Sequence, residues 1–240
     1  MNRSVPTGDQ GIVGERDDLS ISGTFAERYE HLFRYKLAKD QQWNKIVEVG
    51  CGTGYGSAIL ASDAQITAFD ISKQAISYAV KVHPGPDYVV GSATALPLPD
   101  ESVDAIVSFE VIEHLTDAEK FLDECKRVLR EDGAIILSSP NPGYLPNLFK
   151  HRLLGKPIPR KIWEGNIYHV REFSYEDMIG LLSRKGFEVR GAMGQTFPIP
   201  IVRQVFALIG HVDLYDWVAS RLGTGFPRIA FTVIYTAVRK

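Results

Sequence analysis

Short runs of β-branched and other apolar residues alternate with segments of helical periodicity along most of the chain. Short apolar runs predict buried strands, whereas apolar residues that recur every three or four positions predict helices. Seven strands are predicted in this way, at residues 46–49, 66–69, 88–90, 105–109, 134–137, 187–190 and 229–238. The alternation is typical of a doubly wound α/β domain, in which helices cover both faces of a mostly parallel sheet.

Polar residues with capping character predict where the helices begin. They are Thr24, Ser72, Thr116 and Ser174, and the two threonines are each followed three residues later by a glutamate, as in a capping box. Gly133 and Gly186 are predicted to end helices. In the helix after Ser72, the apolar residues Ile76, Ala79 and Val80 are expected to face the sheet.

The 240 residues suffice for one large α/β domain. Residues 1–22, rich in glycine, aspartate and serine, are expected to form a mobile arm, and residues 23–240 a single domain. Prolines interrupt the helical and strand periods in residues 140–171, which we interpret as an insertion after the fifth strand, over one edge of the sheet. This insertion and the apolar segment 197–226 are expected to cap a substrate pocket. An ordinary packed helix pair is the alternative for the apolar segment.

The composition favours a soluble protein with a sizeable core, since 45% of the residues are hydrophobic and 23% are charged. The net charge of −2 does not suggest a general nucleic-acid binder. Residues 1–140 nevertheless contain 13 Lys and Arg against 22 Asp and Glu, whereas residues 141–240 contain 14 against 7. Five of these basic residues, and no acidic one, lie in residues 150–161. This basic segment is either a solvated loop or a contact for a phosphate, a carboxylate or an anionic membrane surface.

Cys51 and Cys125 are too few for a disulfide framework. The first ten residues contain no apolar run that resembles a signal peptide, and no stretch reaches about 18 consecutive apolar residues. We therefore expect a cytoplasmic protein without a transmembrane segment.

A glycine-rich stretch, residues 47–56, directly follows the first predicted strand. Glycines between a strand and a helix let a ligand approach the backbone closely. The dinucleotide-binding template G-x-G-x-x-G does not fit, because a start at Gly50 puts Tyr55 at the third glycine and a start at Gly52 puts Ser57 there. A nicotinamide-dependent dehydrogenase is therefore disfavoured.

The stretch resembles instead the first motif of the class I S-adenosylmethionine-dependent methyltransferases, an acidic residue followed by x-G-x-G-x-G. Glu48, Gly50, Gly52 and Gly54 match it position by position. The resemblance covers about residues 45–140, with a looser match at 169–189. It implies S-adenosylmethionine (SAM) as the cofactor and a seven-stranded sheet whose last strand is antiparallel.

The resemblance also implies roles for individual residues. The loop would pass beneath the methionine part of SAM, with Glu48 helping to orient it. Asp70, at the end of the second strand, would accept the ribose hydroxyls, and Ile71 would pack on the adenine. Ser92 stands where the family often has an acid before alanine, so recognition of the adenine amino group would depend on backbone or on this hydroxyl. The implied cofactor-binding residues are Glu48, Gly50, Cys51, Gly52, Gly54, Asp70, Ile71, Ser92, Ala93 and Phe109.

Methyl transfer requires an acceptor atom held in line with the methyl group, and a hydroxyl acceptor also needs a general base. Glu110, Glu113 and His114 follow the fourth strand and would share a face on a helical turn. His169 comes after the insertion and is expected over the same pocket. His114 and His169 are thus the candidate catalytic residues, as bases or as hydrogen-bonding partners of the substrate, with structural roles as the alternative.

The same four side chains are also suitable ligands for a divalent metal ion. They resemble the E-x-x-E-H pattern with a later histidine in metal-assisted O-methyltransferases that act on RNA ends or quinone precursors. Many relatives carry Glu-His here without a metal, so the sequence leaves a metal site and a metal-free base open.

We therefore expect a SAM-dependent methyltransferase for a small molecule, with a hydroxyl oxygen as the acceptor atom. Transfer to the nitrogen of an amine or amino sugar is the alternative. The basic segment leaves an anionic acceptor, or one linked to a lipid or a nucleotide, open, whereas nucleic acid is not expected because basic and aromatic residues are not interleaved. A non-catalytic interaction protein that holds SAM as a structural ligand is the alternative from another class.

Overall fold

The computed structural model describes residues 25–155, 157, 168–195 and 224–240. The predicted N-terminal arm, the capping residue Thr24, part of the basic segment and most of the apolar segment lie outside the described residues.

Seven strands and six α-helices occur in the described residues. The strands are β1 (Lys45–Val49), β2 (Gln65–Asp70), β3 (Asp87–Val90), β4 (Val103–Phe109), β5 (Leu129–Pro140), β6 (Phe187–Gln195) and β7 (Thr232–Arg239). The helices are α1 (Phe25–Lys39), α2 (Tyr55–Leu60), α3 (Lys73–Val82), α4 (Ala118–Val128), α5 (Leu145–Leu154) and α6 (Tyr175–Arg184). All seven predicted strands are present, whereas α5 lies in the insertion, where no helical period was evident.

The strands form one sheet in the order β3-β2-β1-β4-β5-β7-β6. The chain moves outward from β1 to β3, returns to β4 beside β1, and then continues to the other edge. Strand β7 is antiparallel to both of its neighbours, and the other pairings are parallel. The doubly wound fold and the antiparallel last strand are thus confirmed. Ligands of such sheets bind at the carboxyl ends of the strands, where the order reverses, and here that point lies between β1 and β4.

Two apolar layers bury the two faces of the sheet. Ala38 of α1, Leu60 of α2 and Ile76 of α3 pack on one face, while Phe121 of α4 and Leu182 of α6 pack on the other. Alternate residues of the central strands contribute to opposite layers, which is why these strands consist almost entirely of apolar residues. Val80 of α3 was expected to face the sheet, but it is 53% exposed.

The predicted limits of α4 are wrong at both ends. Its cap is Asp117, whose carboxylate accepts a hydrogen bond from the Lys120 amide at 2.9 Å, and not Thr116. The helix ends at Val128, so Gly133 does not stop it.

Gly133 lies within β5, where the chain bulges. Leu129 pairs with Val103, whereas Ala134 is the residue opposite Ala105, so residues 130–133 loop out of the ladder. A Cβ at Gly133 would lie 2.9 Å from the Arg130 carbonyl oxygen, which explains the glycine at this point.

Both cysteines are buried, and they do not form a disulfide bond with each other. None of the helices in the described residues has the length and the hydropathy of a membrane-spanning segment.

Candidate active site

The loop between β1 and α2 contains three glycines in the left-handed conformation. The φ angles of Gly50, Gly52 and Gly54 are 79°, 53° and 86°. A Cβ on Gly50 would overlap Cγ2 of Val111, whereas a Cβ on Gly52 would meet no atom within 4 Å. The loop is therefore packed against the end of β4 at Gly50 and open at Gly52, where a ligand can approach the backbone.

Asp70 connects this loop to the start of α3. Its side chain is 6% exposed, and its carboxylate accepts hydrogen bonds from the Gly52 amide at 2.9 Å and the Ser72 amide at 2.8 Å. Ionised carboxylate oxygens have about four lone-pair sites, so the group retains capacity for further donors. The neighbouring Ile71 is 64% exposed at the same end of β2. The two residues thus present a carboxylate and an apolar surface beside the open part of the loop.

Glu48 is buried beneath the loop. Its carboxylate accepts hydrogen bonds from the Tyr35 hydroxyl at 2.6 Å and the Ser57 hydroxyl at 2.5 Å. Burial raises the pKa of Glu48 above its usual value. These hydrogen bonds connect β1 to α1 and α2, so the buried Glu48 side chain stabilises the conformation of the loop.

The other predicted cofactor-binding residues line the floor and the rim of the same edge. Cys51 and Phe109 are buried, and the Phe109 ring lies edge-on to Tyr35 with the centroids 5.1 Å apart. Ser92 follows β3, and its hydroxyl is 3.0 Å from that of Thr94. Ala93 is half-buried beside it.

Helix α1 lies against the loop through a row of polar contacts. His31 Nδ1 is 2.6 Å from the Tyr55 hydroxyl, and burial lowers the pKa of His31 to about 3. Tyr35 reaches Glu48, and its ring occupies the space that a Cβ on Gly56 would need. The helix therefore supports the loop from outside the sheet.

His114 and His169, the two predicted catalytic residues, meet at the carboxyl end of β4. A short 3-10 turn, Ile112–His114, follows β4, and the Glu113 carbonyl accepts hydrogen bonds from the amides of Val170 and Arg171 at 2.8 and 3.2 Å. This backbone pairing brings the imidazole centroids to 4.8 Å with the rings nearly perpendicular.

The two histidines of this pair have different hydrogen-bond partners. His169 Nδ1 lies 2.6 Å from the Glu172 carboxylate, which is buried, whereas His114 Nδ1 lies 3.1 Å from the Tyr168 carbonyl oxygen. Because both of these oxygens are acceptors, each Nδ1 is assigned a proton. The lone pair of each imidazole is therefore on Nε2. Glu172 was not a candidate from the sequence, where its only signal is the His-x-x-Glu spacing.

Glu113 adds a buried carboxylate to the two histidines. Among the described residues, neither of its side-chain oxygens has a hydrogen-bond partner. Burial, followed by the nearby Glu110 carboxylate, raises the pKa of Glu113 well above its usual range. Glu113, His114 and His169 each offer a ligand atom, and these atoms lie within 4.8 Å of one another.

Glu110 was predicted to share a helical face with Glu113 and His114, but it is not part of the group of ligand atoms that Glu113, His114 and His169 form. The chain bends at Glu110, whose φ of 55° takes its side chain out of the helical repeat. Its carboxylate instead accepts a hydrogen bond from the Ser138 hydroxyl at 2.6 Å and forms an ion pair with Arg34 at 3.3 Å. No local sequence signal indicates Arg34, because its partners come from distant parts of the chain.

Comparisons with known proteins agree with this geometry. Residues 47–137 match the family described as "Methyltransferase domain". A probable S-adenosylmethionine-dependent methyltransferase of Mycobacterium tuberculosis is 34% identical over 220 residues, which cover 90% of this chain and 74% of that protein. A fatty-acid O-methyltransferase of Mycolicibacterium smegmatis is 33% identical over 110 residues, 44% of this chain and 40% of that protein.

Solved structures show the same fold. The crystal structure of a possible histamine N-methyltransferase from Thermotoga maritima superposes with a TM-score of 0.62 at 22% identity, over 90% of this chain and 92% of that one. The doubly wound sheet and glycine loop therefore define a class I methyltransferase fold. The chain itself belongs to the S-adenosylmethionine-dependent methyltransferases, since the Mycobacterium tuberculosis relative is similar over most of both sequences. It is an enzyme that uses SAM, as the first motif predicted.

Proposed function

We propose that the enzyme methylates a hydroxyl oxygen of a small molecule, with His169 as the general base. The observation that carries the proposal is the 2.6 Å contact between His169 Nδ1 and the buried Glu172 carboxylate. Bound SAM supplies an electrophilic methyl group on a sulfonium. A hydroxyl acceptor must lose its proton to take this group, and a neutral imidazole is the usual side chain for that task.

Glu172 makes His169 suitable for this role. Its carboxylate holds the proton on Nδ1, so Nε2 carries the lone pair that accepts the hydroxyl proton. The negative charge then stabilises the imidazolium that forms. His114, with its ring 4.8 Å from that of His169, borders the same space and is assigned to orient the acceptor. A neutral amine needs no such base, which favours oxygen over nitrogen.

The residues present also fit the cofactor. The open backbone at Gly52 gives a flat nucleoside ligand room, and Asp70 places a hydrogen-bonding carboxylate at the end of β2 beside it. We propose that Asp70 accepts the ribose hydroxyls and that Ile71 covers the adenine. Glu48, in contact with Tyr35 and Ser57, maintains the loop in the shape that admits SAM.

Replacement Asp70→Ala is expected to weaken the binding of SAM by about 1–3 kcal/mol, since it removes hydrogen bonds to a charged group. This corresponds to a rise in Kd of about 5-fold to 150-fold, which calorimetry measures directly. Asp104→Ala is the matched control, because Asp104 also accepts a backbone hydrogen bond, from Lys45, but lies at the amino end of β4. An unchanged Kd in a folded Asp70→Ala variant would remove the assignment.

A divalent cation held by Glu113, His114 and His169 is the second proposal for this site. It is favoured by the buried Glu113 carboxylate, which has no hydrogen-bond partner among the described residues. Two imidazoles and one carboxylate suit several divalent transition metals, and Glu172 lies where an outer carboxylate orients a metal-bound imidazole. The ion would then polarise the acceptor hydroxyl in place of the base. The two proposals compete for Nε2 of His169.

Removal of metal separates these proposals. With His169 as the base, enzyme dialysed against a chelator is expected to keep its turnover, and elemental analysis should find less than one metal ion per chain at full activity. Loss of turnover after dialysis, with recovery on addition of Mg²⁺ or Mn²⁺, would replace the base by a metal-assisted reaction. A Glu113→Gln variant that no longer recovers would assign the ion to this site.

We also propose that the acceptor carries an apolar chain and an anionic group. Phe149, Leu153 and Leu154 of α5 are 62%, 63% and 64% exposed, and His151 and Arg152 lie between them on the same helix. The fatty-acid O-methyltransferase among the relatives is consistent with an acceptor of this kind. Pools of hydroxylated lipids, phosphorylated metabolites and amines can be screened for a SAM-dependent mass gain of one methylene group. Methylation confined to apolar amines would contradict the proposal.

A further inference from the structure

Helix α5, which follows the carboxyl end of β5, presents large apolar side chains to solvent. Leu145, Phe149 and Leu153 follow one another at intervals of four residues and therefore share a face of the helix. All three are exposed, and Leu154 beside them is exposed as well. Single exposed apolar side chains are ordinary, whereas a contiguous group of them marks an interaction surface.

A second exposed apolar side chain lies next to the start of α5. Phe226, which is 55% exposed, directly precedes the short 3-10 turn Pro227–Ile229. The Asn141 side-chain amide, shortly before α5, donates hydrogen bonds to the Arg228 carbonyl at 3.1 Å and to the Ala230 carbonyl at 3.0 Å. These bonds hold the turn against the segment that leads into α5, so the two belong to one surface.

The start of α5 also lies near the proposed base. Tyr144 is the residue that caps α5, and burial raises its pKa, with a further rise from the negative charge of Glu172. Glu172 is the carboxylate that contacts His169. Tyr168 and Val170, on either side of His169, are 39% and 49% exposed. The exposed apolar side chains therefore border the space where the acceptor is expected.

The surface is positively charged. It contains four Lys and Arg, and no Asp or Glu, in the three segments that form it, residues 144–155, 168–171 and 224–230, which we call the α5 face. Arg152 and Arg171 are exposed, and Arg228 is 72% exposed. The ion pair of Arg228 with Glu176, at 3.8 Å, is a contact between exposed groups and contributes little. Basic groups among exposed apolar side chains complement a lipid surface with anionic headgroups.

We propose that the α5 face docks on an anionic lipid surface, from which the enzyme takes its acceptor. The apolar side chains enter the headgroup region, and the arginines pair with the anionic headgroups. The inference rests on the proposed acceptor, because a molecule with an apolar chain and an anionic group resides in such a surface. Docking places His169 at the lipid surface. A second copy of the chain is disfavoured as the occupant, since it would bring like charges together.

Vesicle binding, measured by sedimentation, tests the inference without an identified acceptor. The wild-type enzyme is expected to bind vesicles of phosphatidylcholine and phosphatidylglycerol in equal parts at least about tenfold more tightly than vesicles of phosphatidylcholine alone. The double variant Phe149→Ser, Leu153→Ser is expected to bind the mixed vesicles at least about tenfold more weakly, because two apolar side chains no longer enter the headgroup region. Arg152→Gln is expected to weaken the same binding about fivefold, the usual effect of one basic residue near an anionic surface.

Matched controls are available on α3, which packs beside β2 and β3 in the other half of the sheet. The double variant Val80→Ser, Val82→Ser and the single variant Lys81→Gln make the same kinds of change at exposed positions and are expected to bind vesicles as the wild type does. All of the replaced side chains are exposed, so the variants are expected to fold, which circular dichroism checks. Equal binding of the wild type to both kinds of vesicle, or wild-type binding by both α5 variants, would overturn the inference.

The outcomes distinguish docking from the proposed acceptor. If the enzyme methylates an anionic lipid dispersed in detergent but binds no vesicles, only the docking inference fails. If it binds the mixed vesicles through the α5 face but methylates only apolar amines, the docking surface stands and the proposed acceptor fails. A dimer that forms without vesicles, and that the Phe149→Ser, Leu153→Ser variant converts to a monomer, would assign the α5 face to a second copy of the chain and contradict the inference.

Discussion

Replacement His169→Asn is expected to lower kcat by about 10²-fold to 10⁴-fold, the usual contribution of a positioned general base, with the Kd of SAM unchanged within about twofold. The imidazole is held by Glu172 at 2.6 Å, so its loss removes a preoriented proton acceptor and leaves only water for the acceptor hydroxyl. Single-turnover kinetics with an identified acceptor measures the chemical step, and calorimetry measures cofactor binding.

Two further variants show whether the effect belongs to the base. Glu172→Gln keeps a hydrogen-bond acceptor near Nδ1 but removes the charge, so we expect a smaller loss of kcat than in His169→Asn. His83→Asn makes the same chemical change at the C-terminal end of α3, away from the two histidines of the site, and is expected to leave kcat unchanged. Wild-type rates in both His169→Asn and His114→Asn would refute the assignment of a histidine base.

The cofactor half of the site could be predicted from the sequence because its signals are local. Glu48, Gly50, Gly52 and Gly54 lie within one short stretch, and the strand that leads into it determines the edge of the sheet at which the glycines lie. The position of Asp70 follows from the end of the next strand. The structure places all of these residues at one edge of the sheet, as parallel strands require, while their contacts with SAM remain predictions.

The acceptor half was harder to predict because its geometry depends on pairings across the chain. His169 lies next to His114 because the amides of Val170 and Arg171 donate hydrogen bonds to the Glu113 carbonyl. No periodic pattern in the sequence predicts this pairing. Glu110 was expected on the same face because helical spacing was assumed, and the positive φ at Glu110 turned it away.

The Arg34 contacts were missed for the same reason. Arg34 lies in α1, Glu110 after β4 and Gln195 at the end of β6, so only the assembled sheet brings them together. The bulge at residues 130–133 was missed because a glycine that a bulge in a strand requires cannot be distinguished in the sequence from one that ends a helix.

Gly50→Ala is expected to weaken SAM binding by at least about 100-fold and to lower the free energy of unfolding by about 2–4 kcal/mol. Two costs combine at this position. An alanine in the left-handed region costs about 1–2 kcal/mol, and the new Cβ overlaps Val111 Cγ2, the side chain of a β-branched residue with few rotamers to escape into. The Gly50 amide also donates to the Phe69 carbonyl at 2.7 Å, so a shift of the loop would weaken that bond. Calorimetry and chemical denaturation measure the two effects.

Gly52→Ala separates the backbone cost from the steric one. Its φ of 53° is also left-handed, but the new Cβ would meet no protein atom, so we expect a loss of only about 1–2 kcal/mol in the free energy of unfolding. The methyl group would stand in the open space assigned to SAM, so cofactor binding should fall far more than stability does. The double variant Gly50→Ala, Val111→Ala removes the overlap and is expected to regain part of the stability lost in Gly50→Ala, with the φ cost remaining. If Gly52→Ala binds SAM as the wild type does, the cofactor does not lie against this face of the loop, because the added methyl group would clash with a ligand in contact with the backbone.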